Sequence, residues 1–316
     1  MNDAQFPASS QRYQQDDEID LRELFSAIWA GKWLIAAVTT VFAVAAVVIA
    51  LYLPNIYKSD VLLAPASNQE KSGLAGLASQ FGGLASLAGI NLGGGSTDQT
   101  TLALQVLKSR EFIGQFITEH HILVPLMAAK DWDRGTGHLI IDPELYSEKS
   151  QQWVRKASAP YKPEPSLQEA YKKFTKHVLG VSQDKESGMV TISVSFYSPD
   201  MAQQWVTWLV KDLNNVMRQR DMAEAQKSIQ YLDAQISKTN LADMRSMLYQ
   251  LVEQQTKTLM FAKVRDEYAF KTVDPAIVPL EKNKPKRALI AVLGTLLGGM
   301  LGVMWVLIRH FSRKED

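Results

Sequence analysis

The sequence predicts an α+β protein in which two membrane-spanning helices enclose one large loop that carries a long helical arm. Two observations lead to this prediction. Two uncharged apolar segments lie near the ends of the chain, and 234 residues separate them. Within that loop, the stretch between Asp200 and Asp274 contains neither glycine nor proline, as expected for long helices. The formal net charge is only +1, and it gives no indication of a nucleic-acid partner.

The two apolar segments, Trp33–Leu53 and Ala288–Ile308, each contain 21 residues without a charge. About 20 apolar residues are needed to cross the hydrocarbon of a bilayer as a helix. The alternative, a buried helix of a soluble core, is disfavoured because such helices rarely lack polar residues for so long. The sequence therefore predicts transmembrane helices at 33–53 and 288–308.

The tail 1–32 contains six acidic and three basic residues. It is too long and too acidic for the start of a cleaved signal peptide, and we expect its last part to form a short juxtamembrane helix. Two spans put the tails 1–32 and 309–316 on the same side. Basic residues near the second span number five on the loop side and three beyond it. That count would place the loop in the cytoplasm, but long loops obey the rule poorly, so the residues leave the orientation open.

The predicted α/β base comprises residues 54–198 and 269–287. Alternating Val190, Ile192, Val194 and Phe196 indicate its clearest strand. The other predicted elements are a strand ending at Pro65, helices over 101–119 and 167–178, and a last strand in AFKTVDPAIV.

The predicted helical arm covers residues 199–268. Ser198 is placed to cap a helix that starts at Pro199, and apolar residues recur in steps of three and four to about residue 237. Such a helix would be roughly 58 Å long at about 1.5 Å per residue. Asn240 is predicted to cap a second helix that fades near Tyr268. A rod of this length either protrudes or packs against copies of itself.

The stretch 72–95, SGLAGLASQFGGLASLAGINLGGG, carries no charge and nearly repeats itself. Its glycines argue against a third membrane span. Two interpretations stay open: a flexible linker, or a mobile, weakly apolar segment that faces an oligomer interior or the membrane surface.

The sequence contains no phosphate-binding loop, nucleophile elbow, zinc-protease motif or cysteine. His120 and His121 are adjacent and would diverge on a helix, so a solvated helix end is favoured over a metal site. The acidic pair Asp131 and Asp133 is interpreted as an exposed turn. We therefore expect no enzymatic activity, no catalytic residues, no cofactor and no metal.

The second predicted span carries a G-x-x-x-G-x-x-x-G pattern. Its glycines are Gly294, Gly298 and Gly302, with Gly299 beside them. Glycines at this spacing form a groove in which two helices approach closely. In the first span, Thr39/Ala43 and Ala46/Ala50 offer a partial complement. Whether the groove faces the first span or a neighbouring subunit is open.

The sequence resembles a known family, the Wzz-type chain-length determinants or polysaccharide co-polymerases, in the short form that has no kinase domain. The resemblance covers nearly the whole chain, including EIDLRELFSAIW, NIYKSDVLLAP and SLAGINLGGGSTDQTTLALQVLKSREF. Its strongest part is the approach to the second span, followed by the four glycines. The residues of this approach are Pro275, Pro279, Pro285, Lys286 and Arg287. Lys284 departs from the family, which often has serine there.

The resemblance implies a bacterial inner-membrane protein with cytoplasmic termini and a periplasmic loop. It also implies a membrane-proximal α/β domain with a protruding helical hairpin, assembled as a homo-oligomeric ring of several subunits. The partners implied are a Wzy-type polymerase, a lipid-linked glycan and membrane lipid, with no nucleic acid. Related exopolysaccharide proteins append a tyrosine kinase, which the eight residues after the second span lack.

The function that the resemblance implies is control of the modal chain length of a lipid-linked surface polysaccharide, with lipopolysaccharide O-antigen favoured. The alternative is a length or export factor for enterobacterial common antigen, capsule or exopolysaccharide. A two-span sensor is disfavoured because it would need a cytoplasmic output domain.

Overall fold

The computed structural model describes residues 21–66 and 95–312. The glycine-rich stretch 72–94, the first 20 residues and the last four lie outside the described residues, and so do the expectations made for them. The chain forms two compact units. One contains the two terminal apolar helices, and the other spans Pro54–Lys284.

The elements of the described parts are named in chain order. The helices are α1 Leu21–Ala30, α2 Lys32–Tyr52, α3 Gly95–Leu107, α4 Arg110–Glu119, α5 Leu123–Ala128, α6 Leu167–Lys173, α7 Pro199–Lys238, α8 Ala242–Val264 and α9 Arg287–Ser312. A π-helical turn, Phe174–Val178, extends α6. The strands are β1 Tyr57–Pro65, β2 Ala129–Trp132, β3 Leu139–Ile141, β4 Tyr146–Ser147, β5 Gln152–Trp153, β6 Leu179–Gln183, β7 Val190–Phe196 and β8 Phe270–Asp274.

The first unit consists of α1, α2 and α9. Among the described helices, α2 and α9 are the two that are long and apolar enough to cross a membrane. Most of their large side chains face outward, for example Leu296 and Met300 on α9. Outward-facing apolar side chains suit a hydrocarbon surrounding rather than water.

The second unit is built on a four-stranded antiparallel sheet with the strand order β6-β7-β1-β8. The pairs Tyr57–Phe196 and Val61–Ile192 share one face, because their Cα atoms are register partners. Side chains on this face are buried, whereas Lys58 and Asp60 belong to the opposite, polar face. The alternation reflects the two-residue period of a strand that is buried on one side.

The first half of α7 covers the apolar face of the sheet. Trp205 is fully buried, and its ring lies 4.4 Å from that of Phe196 and 6.2 Å from that of Phe174. Leu209 and Leu213 continue the buried stripe one and two turns later. Helices α3 to α6 complete the core around these side chains.

The second half of α7 packs against α8 and forms an antiparallel helical hairpin. Helix α7 has 40 residues and is therefore about 60 Å long. Beyond Met217, only Ala225 and Ile236 of this helix are buried, and Ala262 is the buried residue of α8. The α+β fold with its long helix agrees with the predicted fold class.

Two predicted helix boundaries are wrong. The helix predicted over 101–119 is two helices, because the Ser109 side chain accepts a hydrogen bond from the Phe112 amide and starts α4. Asn240 is not the cap of α8. Leu241 holds that position without a side-chain cap, and the Arg245 guanidinium instead donates to the Thr239 carbonyl.

Strand β6 and the two small hairpins, β2–β3 and β4–β5, were not predicted. Strand β6 pairs with β7, and Gly180 lies opposite Ser193. A glycine weakens the strand signal in a single sequence. The predicted strand in AFKTVDPAIV corresponds to β8, which pairs with β1 at the other edge of the sheet.

Candidate functional site

The glycine groove of α9 lies against α2 of the same chain. A Cβ atom added to Gly298 would lie 2.6 Å from the Phe42 Cβ, and one added to Gly302 would lie 3.1 Å from the Ile35 Cα. At Gly294 the added atom would overlap the Ala46 side chain. The three glycines therefore form one face on which the backbones of α9 and α2 come together.

Gly31, the residue just before α2, also takes part in the close approach of the two helices. A Cβ atom added to Gly31 would lie 2.5 Å from both methyl groups of Val306, so this contact extends the close approach toward the C-terminal end of α9. Gly299 lies beside the face, since its nearest neighbour would be the Thr39 hydroxyl at 3.8 Å. Thr39 and Ala46 of the predicted complement contact this face, and Ala50 is buried.

The threonine hydroxyls of the paired helices form hydrogen bonds within their own helix. The Thr39 and Thr295 hydroxyls donate to backbone carbonyls four residues earlier, at 2.7 and 2.8 Å. The Arg287 Nε atom donates to the Ala50 carbonyl at 3.0 Å, so the first residue of α9 is bonded to the end of α2. These bonds leave the contact between the two helices dominated by close packing.

The proline-rich approach, 275–286, has no regular helix or strand and is held to the α/β unit by hydrogen bonds. The Ile56 amide donates to the Lys284 carbonyl at 3.0 Å, and the Ile56 carbonyl accepts from the amides of Asn283 and Lys284. The Ser59 hydroxyl donates to the Ile277 carbonyl at 2.7 Å. The two chain segments that connect the unit to α2 and α9 therefore leave it side by side.

The five residues predicted for this approach are distributed along it. Pro275 and Pro279 lie in the segment after β8, and prolines there restrict φ without removing a needed donor. Pro285 and the exposed Lys286 immediately precede α9, and Arg287 is its first residue. The structure does not bring them into one cluster.

His120 is held more firmly than a solvated helix end would be. Its Nε2 atom lies 2.7 Å from the Asp212 carboxylate, and its ring stacks on Trp208 with centroids 4.2 Å apart. Asp133 accepts hydrogen bonds from the Gly135 amide and the Thr136 hydroxyl, and these bonds lower the pKa of its carboxyl group. Within residues 21–66 and 95–312, no group of three acidic, histidine or cysteine side chains has the geometry to hold a metal ion.

The paired apolar helices and the α/β unit between them fit a two-span inner-membrane protein. Two family models match the chain and together cover more than half of it. Residues 17–120 match "Wzz: Chain length determinant protein", and residues 242–311 match "G-rich domain on putative tyrosine kinase". The chain thus combines a segment that matches the Wzz chain length determinant domain with a second segment that matches this G-rich domain.

Two solved structures are similar to the chain. A full-length bacterial polysaccharide co-polymerase has 15% identity, and the alignment covers 95% of this chain and 99% of that one with a TM-score of 0.38. A fragment of WzzB, a polysaccharide co-polymerase from Salmonella Typhimurium, has 9% identity, with 73% and 100% covered and a TM-score of 0.32. Comparison with curated protein sequences gives no match.

Proposed function

We propose that this protein sets the modal chain length of a lipid-linked surface polysaccharide and that it does so without catalysing a reaction. The polysaccharide proposed is lipopolysaccharide O-antigen. The observation that carries the proposal is the match to the chain length determinant model at residues 17–120. A regulator of this kind acts through geometry and contacts. The extended α7–α8 hairpin and the two-span frame supply both.

In the proposed topology, residues 54–287 are periplasmic, and the tails 1–32 and 309–316 are cytoplasmic. Two spans place both tails on one side, which supports this arrangement. Lys286 and Arg287 would then lie at the headgroup level, where basic side chains are favourable. The prolines before them would limit movement between the periplasmic domain and the second span.

The proposed partners are further copies of this chain, a Wzy-type polymerase and the lipid-linked glycan. Exposed apolar side chains on α8 support self-association, since Met244, Met247 and Leu251 are all about half exposed. In a ring of several subunits, the α7–α8 hairpins of neighbouring copies would cover such side chains. The glycine face is proposed to keep α2 and α9 paired in each subunit.

The proposal is tested by deleting the gene and restoring it from a plasmid, with lipopolysaccharide separated on a gel. We expect the deletion to broaden or shift the ladder of O-antigen lengths and the plasmid to restore the parental mode. An unchanged O-antigen ladder would refute the proposed substrate. If the length of enterobacterial common antigen, capsule or exopolysaccharide changed instead, the alternative assignment would replace it.

A further inference from the structure

Two neighbouring concave regions, here together called the groove, lie on the α/β unit. Its smaller part, 650 Å³, is lined by α4 and α6, and its larger part, 1290 Å³, is lined mainly by the β4–β5 hairpin and the loop before α6. The two parts share Thr118, Leu167 and Gln168 as lining residues. Pockets for small molecules have volumes of about 300–1,000 Å³, so the two parts together offer room for more than one sugar unit of a polymer.

Three aromatic side chains, Tyr146, Trp153 and Tyr161, line the larger part of the groove. Tyr146 and Trp153 are register partners across the β4–β5 hairpin, and their rings meet edge to face at 5.1 Å. Tyr161 lines the same part with 57% of its surface exposed. An exposed tyrosine offers an apolar face and a hydroxyl, which matches a sugar ring with its C–H face and its polar rim.

The loop that carries Tyr161 is held rigidly. The Arg155 guanidinium donates to the carbonyls of Lys162 and Pro163, and it also donates to both carboxylate oxygens of Glu169 at 2.8 and 3.2 Å. The hydrogen bond with Arg155 is the main cause that holds the pKa of the Glu169 carboxyl at about 2, well below its usual value. A wall that is already fixed loses little conformational entropy when a ligand binds.

The polar lining of the groove is rich in neutral hydrogen-bonding groups and balanced in charge. Gln151, Gln152 and Gln168 are exposed, and an amide both donates and accepts. Apart from Glu169, which Arg155 neutralises, the acidic and basic lining side chains are equal in number. They are Arg110, Lys162 and Lys172 against Glu111, Glu119 and Glu164. This balance favours a neutral polyhydroxylated ligand over an anionic one.

Gly114 lines the smaller part of the groove. It lies within α4, and an added Cβ atom would meet no heavy atom within 4 Å. A side chain at this position would therefore extend into the open space of the groove and not into the protein. Glycine in a helix interior costs about 1 kcal/mol relative to alanine, so its replacement does not threaten the helix.

We propose that this groove binds a segment of the glycan whose length the protein controls, with Tyr161 stacking on a sugar ring and the glutamine amides bonding its hydroxyls. This inference rests on the proposed function and adds to it a binding site on the α/β unit. It places the glycan contact away from the helical hairpin, on α4, α6 and the loop between β5 and α6.

The test measures binding of the full chain, in detergent, to neutral O-antigen polysaccharide freed of lipid A by mild acid. We expect Tyr161→Ala and Gly114→Leu each to weaken binding at least fivefold. Tyr231→Ala removes a tyrosine that is 69% exposed on α7, outside the groove, and should bind as the parent does. Melting curves verify that all three variants are folded.

The proposal is overturned if the parent chain does not bind the polysaccharide, if both groove variants bind normally, or if polyglutamate of similar mass binds equally well. These outcomes are independent of the gene-deletion test. A ladder that changes on deletion, together with normal binding and normal ladders in both groove variants, would leave the length-control function intact and reject the groove alone.

Discussion

The buried side chain of Asn214 on α7 forms hydrogen bonds with both backbone groups of Phe270 in strand β8. Its Oδ1 atom accepts from the Phe270 amide at 2.9 Å and from the Ala269 amide at 2.8 Å, and its Nδ2 atom donates to the Phe270 carbonyl at 3.0 Å. Asn214 is only 3% exposed. The side-chain amide of Asn214 thus bonds the backbone groups at the start of β8 that a further strand would otherwise pair with. In this way it links α7 to the sheet.

Replacing Asn214 with leucine should destabilise the protein by about 3 kcal/mol, because three backbone groups lose their partner in a buried setting. We expect the melting temperature in detergent to fall by about 5–10 °C. Asn240→Ala is the matched control, since Asn240 is exposed and does not cap α8. Equal melting temperatures for Asn214→Leu and the parent would contradict the role of this amide.

The α2–α9 contact predicts that the effect of replacing a glycine of α9 depends on whether that glycine faces α2. Gly298→Leu with Gly302→Leu should separate the helices, because the new side chains meet Phe42 and the Ile35 backbone. A Cβ atom added at Gly299 would meet only the Thr39 hydroxyl, at an ordinary contact distance of 3.8 Å, so Gly299→Leu should be tolerated better than either single replacement, Gly298→Leu or Gly302→Leu. Melting temperature in detergent and the glycan ladder both report the difference.

We expect the double variant to lose several degrees in melting temperature and to broaden the ladder, with Gly299→Leu close to the parent in both. A double variant with the parental melting temperature and ladder would refute the packing role of these glycines.

The hydrogen bond of Ser59 is expected to stabilise the proline-rich approach against local opening. Ser59→Ala removes the donor to the Ile277 carbonyl, a bond worth about 1 kcal/mol. Amide exchange at Asn283 and Lys284 should become about fivefold faster, since local opening is favoured by that amount. Ser182→Ala on β6 is an exposed control. Parental exchange at both amides in Ser59→Ala would show that the segment is held independently of this bond.

The Arg155–Glu169 pair predicts a component of stability that depends on pH. The pKa of Glu169 is lowered in the folded protein from 4.5 to about 2, chiefly by its hydrogen bond with Arg155. A depressed folded-state pKa means that the stabilisation is present above the unfolded pKa and is lost as the pH falls from about 5 toward 2.

In Glu169→Gln this component should be absent, so the melting temperature should fall less steeply over that pH range than in the parent. Glu148→Gln is the control, because Glu148 is an exposed residue of the turn between β4 and β5. Parallel pH profiles for the parent and Glu169→Gln would contradict the assignment.

Local signals predicted much of this fold because each element of the frame is a long or regular pattern. Ser198 and Pro199 marked the start of α7, and the alternation in β7 identified a strand buried on one face. The break at Ser109 was missed because apolar residues continue across it. The step of five from Leu107 to Phe112 departs from helical spacing and could have indicated it.

The candidate sites depended more on tertiary contacts. Glycine spacing indicated a packing face, but the identity of its partner helix required the contacts with Ile35 and Phe42. The groove left no sequence signal, because Gly114 and Tyr161 are far apart in the chain and each is unremarkable alone. Asn214 had no signal either, since a polar residue on a long helix is ordinarily solvated.

Helix α7 lies in two environments, and this gives the chain a gradient of local stability. Its first half belongs to the core around Trp205, so we expect its amides to open only when the whole unit unfolds. Its second half packs against α8, and beyond Met217 its buried residues in the described structure are Ala225 and Ile236. We therefore expect the far end of the hairpin in an isolated chain to fray while the sheet stays intact, and in the proposed ring a neighbouring copy would cover this end and suppress the fraying.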